Sequence, residues 1–400
     1  MIFARTDGRQ FFIPRRGNEK HGIREKNSSI EEDQKKIRYA VVGLGHIAQV
    51  AVLPAFAHAS KNSELTALVS GDKTKLEELG EKYGIAHTYS YKRYDECLHS
   101  GEVDAVYIAL PNHLHKEYAV RAARAGVHVL CEKPLAVTEK ECEKMIRAAE
   151  KNNVKLMTAY RLHFDESNLK AIEIVNLGQI GEPRIFNSTF TMQVVEGNIR
   201  LRDETGGGTL YDIGIYCLNA ARYLFRAEPF EVFAVNASAD RKRFSEVEEM
   251  MSVVMRFPGD RLAAFTCSFG ASSVRAYRVV GTKGDLLVDP AYEYAGELTH
   301  HLTIDGKTKE RTFPKHDQFA AELLYFSDCV LNDRKPEPSG EEGLIDVAII
   351  RAMYRSAKTG RPVKLGGFER KRRPTRRQEI TRPPAGKPEL VNAESPSGEQ

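Results

Sequence analysis

A glycine-rich turn near residue 45 is the first feature of this 400-residue chain that indicates a chemistry. The run GLGHIA, residues 43–48, follows directly on the apolar residues 37–42. A strand that leads through such a turn into a helix can hold a dinucleotide pyrophosphate, because the glycines allow close backbone approach and the helix N-terminus offers free N–H groups. A plain turn is the alternative for a glycine pattern alone. The nucleotide-binding candidates here are Gly43, Leu44, Gly45, His46 and Ile47.

A lysine at the end of a later strand is the second candidate. Cys131-Glu132-Lys133-Pro134 closes a predicted strand, and ligands of open parallel sheets bind beyond the carboxyl ends of the strands. An ammonium group there could hold a sugar hydroxyl and favour its ionised form. The alternative is a surface lysine in front of a proline that starts a helix.

The third candidate is a carboxylate and a phenol on one helix face. Three glycines, residues 206–208, lead into a helix that carries Asp212 and Tyr216 one turn apart. A phenol accepts a proton more readily when a nearby cation stabilises its anion, and Lys133 could be that cation. A half-buried aromatic side chain and a helix-end charge are the structural alternatives for this pair.

The elements that must position these residues divide the chain into two domains. Strands are predicted at 37–42, 65–69, 103–110, 127–130 and 154–158, with helices at 47–58, 73–83, 117–125 and 139–152. This alternation predicts an α/β fold whose N-terminal domain, residues 37–160, is a Rossmann-type, doubly wound parallel sheet.

The pattern changes after residue 161. Strands are predicted at 184–195, 230–238, 250–257, 261–269, 275–281 and 285–288, with few helices between them. They predict an α+β domain over 161–365 with an open, largely antiparallel sheet, closed by helices at 317–331 and 343–359. Residues 1–36 are expected to form a flexible arm, and residues 366–400, rich in Arg, Pro and Glu, a disordered basic tail.

Composition excludes several classes of protein. The formal charge of +4 does not by itself call for nucleic acid, and no apolar run approaches membrane-spanning length. The basic cluster at residues 370–377 could touch nucleic acid or a membrane, but it lacks aromatic residues for base stacking, so we expect a solvated tail. The start of the chain does not resemble a signal peptide, so we expect a cytoplasmic protein. The six cysteines show no metal-ligand spacing, and no metal site is expected.

The end of the second strand favours NADP over NAD. NAD-preferring folds place an Asp or Glu there for the ribose 2′-hydroxyl. Here Ser70 ends the strand, and Lys73 and Lys75 follow one turn later, which suits a 2′-phosphate. Asp72 leaves NAD open as the alternative, and the lysines could simply be solvated helix surface.

Together these motifs resemble the Gfo/Idh/MocA oxidoreductases from about Ile37 to Val363. The marks are the run AVVGLG at 40–45, LPNHLH at 110–115, EKP at 132–134, and the triglycine run through Asp212 to Tyr216. Within the family the pattern is most similar to glucose–fructose oxidoreductases, through residues 68–71, 131–134, 200–202, 212–216 and 340–343.

The resemblance implies a role for each residue. Lys133, Tyr216 and Asp212 are the expected catalytic residues: Tyr216 is the acid–base, Lys133 orients the substrate hydroxyl, and Asp212 lies in the sugar pocket. The implied reaction oxidises an aldose at C1 to a lactone, with hydride transfer to NADP, and can be coupled to reduction of a ketose to a polyol. Besides the glycine turn, the implied cofactor-binding residues are Ser70, Lys75, Tyr91, Pro111, Asn112, His115, Glu132, Lys133, Tyr160 and Arg161.

Two alternatives to this activity remain open. One is an NADP-dependent aldose dehydrogenase that releases its cofactor, because residues 1–36 lack the proline-rich arm typical of glucose–fructose oxidoreductases. The other is a non-catalytic NADP-sensing protein on the same fold. The expected partners are a small sugar substrate and copies of the same chain, as a homodimer or homotetramer, without nucleic acid or membrane.

Overall fold

The N-terminal domain is a six-stranded parallel sheet. The computed structural model describes residues 35–368, 370 and 372–398, so the arm expected over 1–36 lies outside the described residues apart from 35 and 36. The strands are β1 (Ile37–Val42), β2 (Ser63–Val69), β3 (His87–Tyr89), β4 (Ala105–Ile108), β5 (His128–Glu132) and β6 (Leu156–Ala159). Their order is β3-β2-β1-β4-β5-β6. The order reverses between β1 and β4, and at such a point the carboxyl ends of the strands leave a ligand crevice.

Helices connect these strands. They are α1 (Leu53–Ala59), α2 (Lys73–Tyr83), α3 (Tyr94–Leu98), α4 (His115–Arg124) and α5 (Glu139–Lys151). A capping box formed by Thr138 and Glu141 fixes the start of α5. A π-helical turn, Ala48–Val52, lies between the glycine turn and α1. Such turns are frequent at functional sites.

The second domain is built on a nine-stranded mixed sheet. Its strands are β7 (Pro183–Thr191), β8 (Glu231–Ala237), β9 (Met250–Phe257), β10 (Arg261–Ser268), β11 (Val274–Gly281), β12 (Gly284–Val288), β13 (Leu298–Ile304), β14 (Lys307–Phe313) and β15 (Val363–Lys364). Their order is β14-β13-β12-β11-β7-β10-β9-β8-β15. The β7–β10 pair is parallel and the other pairs are antiparallel, so the predicted fold class is confirmed.

Four further helices complete the described chain: α6 (Glu166–Asn176), α7 (Ile215–Phe225), α8 (Gln318–Leu331) and α9 (Gly340–Thr359). The last two return to the first domain and cover its sheet. The hydroxyl of Ser327 in α8 lies 2.8 Å from that of Tyr39 in β1, and Val347 of α9 is buried in the core on the opposite face. Two helices from the C-terminal half of the sequence, α8 and α9, therefore form part of the first domain.

The expected disordered tail is corrected by the structure. Residues 366–368, 370 and 372–398 lie against both domains. Arg370 pairs with the carboxylates of Glu337 and Glu342, and Arg373 pairs with Glu228 at 2.8 Å. This segment has a composition typical of disorder, but it is ordered because its arginines form ion pairs with buried acidic side chains. Over the described residues, no helix is long and apolar enough to cross a membrane.

Candidate active site

A cavity of about 450 Å³ lies at the carboxyl ends of the parallel strands, between the two domains. It brings together most of the residues that the sequence singled out. Those that line it are Gly43, Leu44, Gly45, His46, Ile47, Ser70, Lys75, Tyr91, Pro111, Asn112, Glu132, Lys133, Arg161, Asp212 and Tyr216.

The glycine turn has the backbone that a pyrophosphate requires. Gly43 has a φ of +94°, and a Cβ there would lie 2.6 Å from the carbonyl oxygen of Ala109. Gly45 borders the cavity, and a Cβ there would meet no atom within 4 Å, so its backbone faces open space. The chain then turns directly into helix. These residues fit a dinucleotide phosphate group.

The far end of the cavity suits an adenosine 2′-phosphate. Ser70 and Lys75 line it beside the ring of Tyr91. Asp72, the residue that left NAD open, is engaged elsewhere: Oδ1 accepts the N–H of Lys75 at 3.2 Å and caps α2, while Oδ2 accepts from Asn392 at 3.0 Å. Lys75 thus lines this end of the cavity as a cation, while the Asp72 carboxylate is bound to the start of α2 and to Asn392.

Two cations flank the half-buried carboxylate of Asp212 at the other end of the cavity. Lys133 Nζ donates to Asp212 Oδ1 at 3.0 Å and to the Asp212 carbonyl oxygen at 2.7 Å. Arg200 Nε donates to Asp212 Oδ2 at 2.6 Å. Burial opposes the charged carboxylate, but Arg200 and Lys133 outweigh it and hold the pKa of Asp212 well below its usual range. Burial likewise opposes the ammonium, yet Asp212, Tyr216 and Glu132 raise the pKa of Lys133.

The phenol of Tyr216 lies between two cations. Arg161 Nε donates to its hydroxyl oxygen at 3.2 Å. Lys133 Nζ lies 5.1 Å from the ring centroid of Tyr216, and the guanidinium carbon of Arg161 lies 4.9 Å from that centroid. Arg161 is held by Gln318 and by the carbonyl oxygen of Tyr292, so its position is fixed. Two positive charges therefore lie against the ring of Tyr216.

Two acidic side chains, the half-buried Glu132 and the fully buried Glu322, lie next to each other beside this site. The hydroxyl of Tyr107 lies 2.9 Å from Glu132 Oε1 and 3.4 Å from Glu322 Oε2. Burial raises the pKa of Glu132, and burial together with the Glu132 charge raises that of Glu322 well above its usual range. These two carboxyl groups therefore ionise less readily than isolated ones.

Two predicted cofactor residues do not line the cavity. His115 is fully buried, and its ring nitrogens lie 2.9 Å from the Pro134 carbonyl oxygen and 2.8 Å from that of Leu110. It ties together the two loops that carry Pro111 and Lys133. The hydroxyl of Tyr160 donates to the buried Asp346. Both residues support the site from behind, because their polar atoms are engaged away from the cavity.

The sequence reasoning missed several cavity residues. Arg200 was noted only as part of a motif, and nothing local to it predicts the contact with Asp212. Tyr294 and the segment 395–397 also line the cavity, although they lie far along the chain from the motifs that predict it. Among the described residues, no cluster of histidine, cysteine and acidic side chains is suited to hold a metal ion.

Comparison with known proteins identifies the two domains. Residues 37–160 match the family described as an oxidoreductase family with an NAD-binding Rossmann fold, and residues 168–287 match the GFO/IDH/MocA C-terminal domain.

Several proteins are similar over most of the chain. A D-xylose 1-dehydrogenase (NADP+) from Haloarcula marismortui is 32% identical over 82% of this chain and 93% of its own length. The crystal structure of an aldose–aldose oxidoreductase from Caulobacter crescentus is 41% identical, with a TM-score of 0.78 over 83% of this chain and 100% of its own. A 3-ketoreductase from Actinomadura kijaniata in complex with NADP and TDP-benzene is 28% identical, with a TM-score of 0.74 over 80% of this chain and 98% of its own.

Both family domains are matched in the expected order, and the relatives are similar over about four-fifths of the sequence. These findings agree with the geometry of the cavity, and the chain belongs to the Gfo/Idh/MocA family of oxidoreductases.

Proposed function

We propose that the protein is an NADP-dependent sugar oxidoreductase that oxidises an aldose at C1 to a lactone and couples this to reduction of a second sugar. The observation that carries the proposal is the position of Tyr216 beside Lys133 and Arg161, at the opposite end of one cavity from Ser70 and Lys75. The names of the relatives, among them an aldose–aldose oxidoreductase and a D-xylose 1-dehydrogenase, support the same substrate class.

The first domain would hold the nucleotide. The backbone of Gly43 and Gly45 would bind the pyrophosphate, Ser70 and Lys75 the 2′-phosphate, and Pro111 and Asn112 would lie along the nicotinamide ribose. When bound, the nicotinamide ring supplies hydride exchange with carbon. The protein supplies the proton transfer and the orientation of the sugar.

Lys133 is arranged to orient a substrate hydroxyl. An ammonium group has three N–H donors, and two of those of Lys133 go to Asp212. The third can reach a sugar hydroxyl in the cavity and favour its ionised form. Tyr216, in its deprotonated form, then accepts the hydroxyl proton, and Arg161 holds the phenolic oxygen in place by donating to it.

Two other functions predict different behaviour. A dehydrogenase that releases its cofactor after each turnover is supported by the D-xylose 1-dehydrogenases among the relatives. A non-catalytic NADP sensor would not need a phenol held between two cations. Replacing Tyr216 by phenylalanine separates the sensor from both enzymes, because a sensor would keep its full response.

The second domain would also join copies of the chain. The outer face of its sheet exposes Phe233, Val235, Val254 and Leu262, with 37–50% of each residue accessible. An apolar face of this kind is typical of a protein interface, so we propose a homodimer or homotetramer. Light scattering of the purified protein measures this, and a monomer would contradict it. The cytoplasmic location stays a prediction.

A two-part assay tests the proposed activity. The purified protein is first given glucose and fructose without added nucleotide, and sorbitol is measured. Sorbitol supports the coupled reaction with retained NADP(H). NADPH absorbance that appears only after NADP+ and an aldose are added supports the releasing dehydrogenase instead. If a panel of aldoses gives neither signal, the proposed activity is refuted.

A further inference from the structure

The C-terminal segment 385–398, here called the strap, runs along the first domain and ends at the nucleotide cavity. Its beginning, residues 385–388, borders an apolar groove formed in part by Leu53 and Phe56 of α1. Next along the strap, the Glu389 carbonyl oxygen accepts from Lys82 Nζ at 3.2 Å. Contacts with the surface of the Rossmann domain therefore determine the position of this part of the strap.

One buried amide links the strap to the glycine turn. Gln49, which is 1% exposed, donates through Nε2 to the carbonyl oxygen of Leu44 at 3.0 Å and to that of Val391 at 2.8 Å. Its Oε1 accepts the N–H of Val391, also at 2.8 Å. The same side chain therefore holds both the turn that would bind pyrophosphate and the strap that passes it.

The next residue reaches the other end of the nucleotide site. Asn392 Nδ2 donates to Asp72 Oδ2 at 3.0 Å, directly beside Ser70 and Lys75. Asn392 has a φ of 45°, a left-handed conformation that asparagine tolerates better than most residues. This contact ties the strap to the N-cap residue of α2, beside the residues that would hold a 2′-phosphate.

The end of the strap crosses to the second domain. Ser395, Pro396 and Ser397 line the cavity, and the carbonyl oxygen of Pro396 accepts the N–H of Val195 at 3.0 Å. The strap is consequently held on both sides of the cavity, by the first domain at Gln49 and Asp72 and by the second domain at Val195.

We infer that the strap is part of the dinucleotide site and slows the release of NADP(H), an inference that rests on the proposed function. Residues 395–397 form a wall of the cavity, in which the hydroxyls of Ser395 and Ser397 lie 3.1 Å apart. A nucleotide bound there leaves only after the contacts at Gln49, Asp72 and Val195 open. Slow release would keep one nucleotide in place while two sugars react in turn.

Removing the strap tests this inference. A variant that ends at Pro384 keeps the ion pairs of Arg370 and Arg373, so its fold should persist. Protein loaded with NADPH is mixed with excess NADP+, and the loss of bound-NADPH fluorescence gives the release rate. Because the strap makes several hydrogen bonds, each worth about three- to tenfold, we expect release to accelerate by about 30-fold or more.

A charge exchange tests the same contact in the full-length chain. Asn392→Asp places a carboxylate against that of Asp72, and we expect release to accelerate by about tenfold. Adding Asp72→Asn restores an amide–carboxylate pair with the roles reversed, so the release rate should return to within about threefold of the original. Thermal unfolding of each variant shows that the fold is kept.

The outcomes separate this inference from the proposed function. A full-length protein that binds no NADPH refutes both. A full-length protein that binds NADPH, but releases it as fast as the truncated and Asn392→Asp variants do, refutes the role of the strap alone. Faster release in both variants, with recovery in the double variant, supports it.

Discussion

Replacing Lys133 by methionine keeps most of the side-chain volume and removes the charge. The lost ammonium lies 5.1 Å from the ring centroid of Tyr216. A unit charge about 5 Å from the negative charge that develops on the reacting oxygens in the transition state stabilises that charge by about 3 kcal/mol at an effective dielectric constant of about 20. Since about 1.4 kcal/mol corresponds to a tenfold change in rate, we expect kcat to fall about 100-fold.

The fold should survive this change. Asp212 keeps Arg200 as a partner at 2.6 Å, so its carboxylate is not left buried without a cation. The matched control is Lys144→Met on the exposed face of α5, which should leave kcat unchanged.

The assay is steady-state oxidation of the preferred aldose at saturating NADP+. It is accompanied by the kinetic isotope effect of substrate deuterated at C1, which should increase in Lys133→Met as the chemical step becomes slower. A variant whose kcat stays within about threefold of the original protein would refute the assigned electrostatic role of Lys133.

Three further predictions concern binding and stability. Gly45→Val should leave the melting temperature unchanged but weaken NADPH binding by about 100-fold or more in titration, because the valine side chain would occupy the space of the pyrophosphate. Gly43→Ala should instead lower the melting temperature, because the added methyl group clashes with the backbone at a residue with positive φ. Arg370→Met should destabilise the protein by about 1–3 kcal/mol in denaturant unfolding, because Glu337 loses its arginine partner while Glu342 keeps only Arg222 as its cation. Burial lowers the pKa of His300 to about 4, whereas an exposed histidine has a pKa of about 6.5. As pH falls from about 6.5 to 4, the unfolded chain takes up a proton that the folded protein does not, so the free energy of unfolding should decrease. His300→Asn should lack this pH dependence.

Each of these predictions has a result that would contradict it. Tight NADPH binding by Gly45→Val would move the pyrophosphate away from the glycine turn. Arg370→Met should differ clearly from Arg377→Met, an exposed arginine in the same segment, and equal unfolding curves would mean that the tail contributes nothing to stability. For His300, the difference in unfolding free energy between the original protein and the variant should change with pH in the stated window, and a constant difference would contradict the assignment.

The Rossmann domain and most of the cavity could be predicted from sequence because their signals are local. Buried parallel strands are continuous apolar runs, and the motifs at their carboxyl ends meet at one edge of the sheet. The hairpin of β13 and β14 was missed for the opposite reason. Six of the seven residues of β14 are exposed, so the strand shows no apolar alternation, and its Asp305-Gly306 turn was the only available sign.

Long-range contacts account for the other differences between the predictions from sequence and the structure. Glu322 joins Glu132 only because α8 folds back onto the first domain. The family resemblance implies that His115 and Tyr160 bind the cofactor, but their polar atoms face the protein interior. The strap has the composition of a disordered segment, and its order depends on partners such as Gln49, 342 residues away in sequence, which no local pattern shows.

Tyr216→Phe tests the central claim most directly, since it removes one hydroxyl from the site. We expect kcat for aldose oxidation to fall by about 100- to 10,000-fold, the range for loss of a general acid–base, while the dissociation constant of NADPH stays within about threefold. The matched control is Tyr83→Phe, which removes a phenol hydroxyl from a half-buried residue of α2 outside the cavity lining and should leave kcat unchanged. If Tyr216→Phe keeps its turnover, Tyr216 is not the acid–base and the proposed mechanism is wrong.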